Sequence, residues 1–119
     1  MRPMMLAAAL LAALPAAAKA QEAGNADNGQ RLFNQCRACH TANQGGRNGV
    51  GPNLHGVVGR AAGAVEGFRY SANLRERAGA GLVWNEENLT AYLRDPKAVL
   101  PQGSMSFQGF RDNVQNAQD

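Results

Sequence analysis

Cys36-Arg37-Ala38-Cys39-His40 decides how the rest of this chain is read. Two thiols three positions apart fall on one side of a single helical turn, and an imidazole follows at once. This is the c-type haem attachment pattern: each thiol adds to one vinyl group, and His40 is held where its ring reaches the iron. The other axial ligand follows by elimination. After residue 20 a single methionine is left, Met105, in Pro101-Gln102-Gly103-Ser104-Met105-Ser106-Phe107. Thioether is a soft ligand that favours ferrous iron, and His/Met ligation raises the reduction potential of a haem.

Residues 1–20 are set aside as a signal peptide. Arg2 is a short positive start, Met4 to Leu14 is an apolar run of eleven residues, and Ala18-Lys19-Ala20 offers small residues at both positions of a cleavage site. A membrane-spanning helix needs about twenty apolar residues, and Pro15 interrupts this run. Cleavage after Ala20 and export to the periplasm are expected, with a retained anchor as the alternative; the mature domain is residues 21–119. In an oxidising compartment, paired thiols end as a disulfide unless another bond takes them. A thioredoxin-like dithiol is disfavoured because that fold needs strands, and after residue 20 there is no isoleucine and only Thr41 and Thr90 as threonines. Structural zinc wants four ligands, and His55 is the only other histidine.

Charge and core size set further bounds. After residue 20, ten basic residues face nine acidic ones, which argues against nucleic acid as a partner because that requires a dense basic face. The same stretch holds seven leucines, seven valines and seven aromatics, a thin core for a single small domain. A buried haem supplies the missing apolar volume, so the apoprotein is predicted to be largely unfolded.

An all-α fold of small helices and long loops around one haem is expected. The first helix is predicted from Ala26 to Gln35, with Gly29 inside it marking a close backbone approach. Ser71 caps a short helix through Arg77. Asn85 caps a stronger one, with Glu86 and Glu87 in its first turn, Arg94 in its last, and Leu89, Tyr92 and Leu93 as its apolar stripe. Asp95-Pro96 starts a further short helix to Leu100. From Gly45 to Gly67 the chain carries eight glycines and no periodicity, which suits a loop lying against a large rigid ligand. There, the Pro52 carbonyl can orient His40 by accepting its other ring N–H.

In order along the chain, the attachment motif, Gly51-Pro52-Asn53-Leu54-His55-Gly56, Gly59-Arg60, Gly67-Phe68-Arg69-Tyr70-Ser71, Trp84, Tyr92-Leu93 and Met105-Ser106-Phe107 resemble class I c-type cytochromes of the mitochondrial and bacterial periplasmic type. The resemblance implies the cytochrome c fold and one haem c, bound covalently through Cys36 and Cys39, with iron held by His40 and Met105. It also implies that Tyr70 and Trp84 hydrogen-bond a buried propionate, with Arg60 adding positive charge and Ser71 assisting. Tyr92 would donate to the Met105 sulfur and Phe107 would shield the haem edge; ordinary core packing is the plainer reading of each aromatic. His55 is expected to be structural. The function implied is that of a soluble, monomeric electron carrier rather than an enzyme, in transient contact with membrane complexes. A cytochrome bc complex would be its donor, and a terminal oxidase, photosynthetic reaction centre or haem peroxidase its acceptor. A peroxidase-like enzyme in which Met105 leaves the iron, or the haem domain of a larger oxidoreductase, are the alternatives. Arg37, Arg47 and Arg111 are candidates for a positive rim that steers acidic partners, or else are scattered solvated charges.

Two departures from the family pattern carry expectations of their own. The methionine loop usually reads Pro-Gly-Thr-Lys-Met, whereas Gln102, Gly103 and Ser104 stand here, so the threonine hydroxyl and the adjacent lysine are both missing. Lys97 is the only lysine after residue 20, so replacement of methionine by lysine at high pH is expected to run through Lys97 or to give way to hydroxide. Family members also end in an amphipathic helix that crosses the first one. Residues 113–119 show no apolar stripe, so that helix is expected to be lacking and the domain to be incomplete at its C-terminal end.

Overall fold

The computed structural model describes residues 24–119; the signal-peptide reading and its cleavage point lie outside the described residues. Among the described residues, five short helices and one two-residue ladder are joined by long loops, which agrees with the expected all-α class.

Helix α1, Ala26–Leu32, begins at Asn25, whose side chain accepts from the Asn28 amide. It tightens into a 3₁₀ turn over Phe33–Gln35, a common way for a helix to close. Strand β1, Arg60–Ala61, pairs antiparallel with β2, Val83–Trp84, matching Arg60 to Trp84 and Ala61 to Val83. This ladder is a tertiary feature that the composition does not announce; it fastens the glycine-rich loop to the approach of the next helix. Helix α2, Ala72–Gly79, is capped by Ser71, whose hydroxyl accepts from the Leu74 amide, and α3, Glu86–Arg94, is capped by Asn85 through the Asn88 amide. Helix α4, Pro96–Val99, starts on proline as anticipated, but Asp95 makes no side-chain cap bond there.

The C-terminal segment, which shows no apolar stripe, nevertheless forms a short helix of its own. Val114–Gln118 forms α5, capped by Asn113, with Ala117 buried. It packs on both α1 and α3. The apolar stripe sought in the sequence is replaced by polar contacts: the Asp119 carboxylate accepts from the Asn25 amide at 2.8 Å, from Asn28 Nδ2 and from Gln115 Nε2 at 2.8 Å. A Cβ at Gly29 would overlap the Asp119 carbonyl, so the close approach foreseen at this glycine is real and the C-terminal segment makes it.

Protein atoms alone build a small core. Ala62, Trp84 and Leu100 form its buried centre, with Val57, Leu74, Leu82, Leu89, Tyr92 and Val99 partly buried around it. No residue of α1, α2 or α3 is fully buried, so these helices turn their apolar sides toward a cleft rather than toward one another.

Candidate haem site

The cleft is a cavity of about 1530 Å³, wider than the roughly 300–1,000 Å³ of ordinary small-molecule pockets. Its walls bring together the eleven residues expected to hold or ligate the haem, though not His55 or the arginines of the expected basic rim. Cys36, Cys39, His40 and Pro52 come from the motif turn and the following loop; Arg60, Tyr70, Ser71 and Trp84 from the ladder and the start of α2; Tyr92, Met105 and Phe107 from α3 and the methionine loop.

The attachment motif forms one turn. The Cys39 and His40 amides both donate to the Cys36 carbonyl, at 3.1 and 2.9 Å, which sets both sulfurs and the imidazole at the cleft. Burial pushes the Cys36 thiol above its ordinary pKa, and the neighbouring Cys39 pushes it further in the same direction. A redox-active C-x-x-C pair needs the reverse, a thiol lowered toward neutrality.

His40 is oriented by two consecutive residues of the following loop. Its Nδ1 lies 2.7 Å from the Pro52 carbonyl oxygen. A carbonyl can only accept, so Nδ1 carries the proton and the Nε2 lone pair is left for a metal. Gly51, buried and next to Pro52 in the chain, lies against the ring, and any Cβ there would overlap the imidazole. The Gly51 amide donates to the Cys39 carbonyl at 2.9 Å, tying this loop back to the motif. Asn53 then braces the loop: its Nδ2 reaches Thr41 Oγ1 at 2.7 Å and the Asn43 carbonyl at 2.9 Å, while its amide donates to Asn48 Oδ1 at 2.8 Å. No sequence signal beyond its place after Pro52 marks Asn53 for this work.

The opposite wall has the polarity expected of a propionate pocket. Arg60 Nη1 donates to the Asn53 and His55 carbonyls at 3.2 and 3.1 Å, and its buried Nε has no partner among the described residues. An unpaired buried donor costs about 1–3 kcal/mol, more when charged, so an acceptor belonging to a bound group fits here. The Tyr70 hydroxyl accepts from the Val65 amide at 3.0 Å and keeps its own proton to give. Ser71 Oγ is engaged as the α2 cap, so any assistance to a propionate can use only its hydroxyl hydrogen. His55 is exposed and does not line the cleft; the fold uses its backbone, not its ring.

On the methionine side, the Tyr92 hydroxyl points at Met105 Sδ across 3.8 Å, and its ring packs on Trp84 with centroids 4.9 Å apart. Burial pushes the Tyr92 phenol above its ordinary pKa, so it stays a donor. Phe107 packs edge-on against Phe110 at 5.1 Å. Of the proposed basic rim, Arg37 lies over the Phe33 ring at 5.9 Å and Arg111 faces Asp95 at 3.8 Å, so Arg111 is partly neutralised. Neither these two nor Arg47 lines the cavity.

A porphyrin fits this arrangement: two sulfurs on one turn, a nitrogen with its lone pair directed away from Pro52, a sulfur on the far loop, an orphaned cationic donor and walls that are apolar for the larger part. The chain is also similar to known proteins. A family model described as Cytochrome c matches residues 26–105. The chain is 42% identical over 112 residues to a cytochrome c2 of Blastochloris viridis, covering 94% of this chain and 84% of that protein. It is 43% identical over 105 residues to a cytochrome c2 of Rhodospirillum rubrum, covering 87% and 78% respectively. To a cytochrome c-550 of Ancylobacter novellus it is 42% identical over 86 residues, 72% of this chain and 80% of the relative.

Proposed function

The chain belongs to the cytochrome c family, and on that premise we propose that it is a one-electron carrier whose haem c is held by Cys36 and Cys39 and ligated axially by His40 and Met105. The observation that carries this reading is the convergence of all four residues on one cleft, with His40 Nδ1 committed to Pro52. The bound haem supplies the chemistry, a single electron taken up and given back at iron. The chain's own groups determine how readily. Pro52 accepts a hydrogen bond from the imidazole N–H and raises the basicity of the ring, Tyr92 donates toward the Met105 sulfur, and Arg60 with Tyr70 and Trp84 offsets propionate charge. With His40 and Met105 both holding the iron, no site would be left for substrate, and electron exchange would be the whole reaction.

Residues 1–20 act as an export signal and the mature domain works in the periplasm. Its donor is a cytochrome bc complex and its acceptor a terminal oxidase, reaction centre or haem peroxidase, met transiently by a monomer. The names of the relatives, cytochrome c2 and c-550, support this reading.

The test is optical. The purified protein is expected to be coloured, to change spectrum with dithionite, to retain its pigment in acidified acetone, and to show in the ferric state the weak red absorption of a thioether–iron bond. In Met105→Ala that absorption is lost while the pigment stays attached. Colourless protein, or pigment extracted by acid acetone, overturns the covalent haem; red absorption persisting in Met105→Ala overturns the axial assignment.

A further inference from the structure

The loop that bears Met105 is poorly held by its own backbone. Among the described residues, no amide from Ser104 to Gly109 donates to another backbone group; the turn closes upstream with the Gly103 amide on the Leu100 carbonyl at 3.0 Å, and pairing resumes only with the Phe110 amide on the Leu93 carbonyl at 2.9 Å. The downstream end is secured by packing, since Gly109 lies so close to the Arg94 carbonyl that no Cβ fits between them. The upstream end is secured by side chains. Asn73, in α2, accepts from the Gln102 amide at 2.8 Å, and Lys97, in α4, donates to the Gly103 carbonyl at 2.6 Å. Two separate helices thus grip neighbouring backbone groups just ahead of Met105, in a segment where the family's usual Thr-Lys pair is absent.

We propose that Asn73 and Lys97 are positioning residues that keep Met105 at the cleft, and that Lys97 serves this loop as a strut rather than as the group that displaces Met105 at high pH. The proposal rests on Met105 being the axial ligand. The two roles of Lys97 exclude each other, because Nζ must release Gly103 and lose its proton before it can act as a ligand. Among the described residues no carboxylate pairs with the ammonium, and Asp95, two positions before it, faces Arg111. Holding a six-residue span without backbone bonds by its ends lowers the population of locally opened states, which is the property that decides how often the sulfur leaves.

The two roles predict shifts of opposite sign. If Lys97 is a strut, Lys97→Ala lowers the pH midpoint at which the red thioether–iron absorption is lost; if it is the displacing ligand, the same change raises it. Loss of one net hydrogen bond corresponds to about a fivefold to tenfold change in the opening equilibrium, or roughly 0.7 to 1 pH unit for a one-proton process. That fall is expected in Lys97→Ala and in Asn73→Ala. Lys97→Arg keeps a cationic donor yet cannot deprotonate to bind iron, and is expected to hold the parent midpoint or exceed it. Amide exchange at Gln102 should quicken about fivefold in Asn73→Ala and recover in Asn73→Asp, which restores an acceptor.

An unchanged or raised midpoint in Lys97→Ala overturns the strut. Lack of the red absorption in the unaltered ferric protein removes the Met105 assignment instead. In that case Gln102 exchange, which does not depend on iron, still reports whether the two side chains hold the loop, and unaltered exchange in both alanine variants overturns the proposal.

Discussion

Orientation of the His40 imidazole depends on two residues outside its own motif. Pro52 contributes a carbonyl 2.7 Å from Nδ1, and Gly51 contributes the space in which the ring sits. The first was legible in the sequence, because proline after glycine marks a carbonyl placed beside a ligand. The second was not, since Gly51 is one of eight glycines in its loop and only the folded geometry shows which of them faces the ring. Gly51→Ala is expected to destabilise the holoprotein by about 1–3 kcal/mol, the usual cost of overpacking a tight site. Denaturant titration checks this; a variant within about 0.5 kcal/mol of the parent would show that the ring shifts freely. Arg60 illustrates the same division. Its role beside a propionate came from resemblance, while its unpartnered buried Nε is a property of the fold alone.

Helix boundaries were largely readable because caps are local chemistry. Ser71 and Asn85 each accept from the amide three residues on, as their side chains predicted, Asn25 does the same for α1, and Pro96 begins α4. Helix α5 was missed because the signal sought was an apolar stripe, whereas this helix is held by a carboxylate. Hydrogen bonds from the Asn25 amide, Asn28 and Gln115, the first the largest cause, keep the Asp119 pKa below the ordinary aspartate value. A depressed folded-state pKa contributes stability that is present in full above the unfolded value and is lost as pH falls through the folded one. The latch between α1 and α5 is therefore intact at neutral pH and weakens only in acid, below the ordinary carboxylate range. Urea midpoints measured against pH should fall in that acid region for the parent. Asp119→Asn should be less stable at neutral pH and show a flatter acid limb; identical profiles for the two proteins would sink the latch.

At the scale of the whole molecule, the composition and the fold agree about what is lacking. A core centred on Ala62, Trp84 and Leu100 leaves α1, α2 and α3 without a fully buried residue around a cavity of about 1530 Å³. A porphyrin in that space completes the apolar interior, so protein made without attached haem, as in Cys36→Ala/Cys39→Ala, is expected to be largely unfolded. Circular dichroism and thermal melting check this, and a sharp cooperative transition in the double variant would contradict it.

Chemistry that depends on residue type and on short spacing was determined by the sequence alone: the haem attachment turn, the methionine left by elimination, the helix caps and the thinness of the core. Each follows from interactions spanning a few residues or from composition, which need no fold to be recognised. Tertiary structure alone decided the β1–β2 ladder, the carboxylate that seats α5 on α1, and the meeting of Asn73 with Gln102, 29 positions apart. Polar residues of that kind offer the same donors and acceptors to many partners. Which partner each one finds is settled only when distant segments are packed around a common centre.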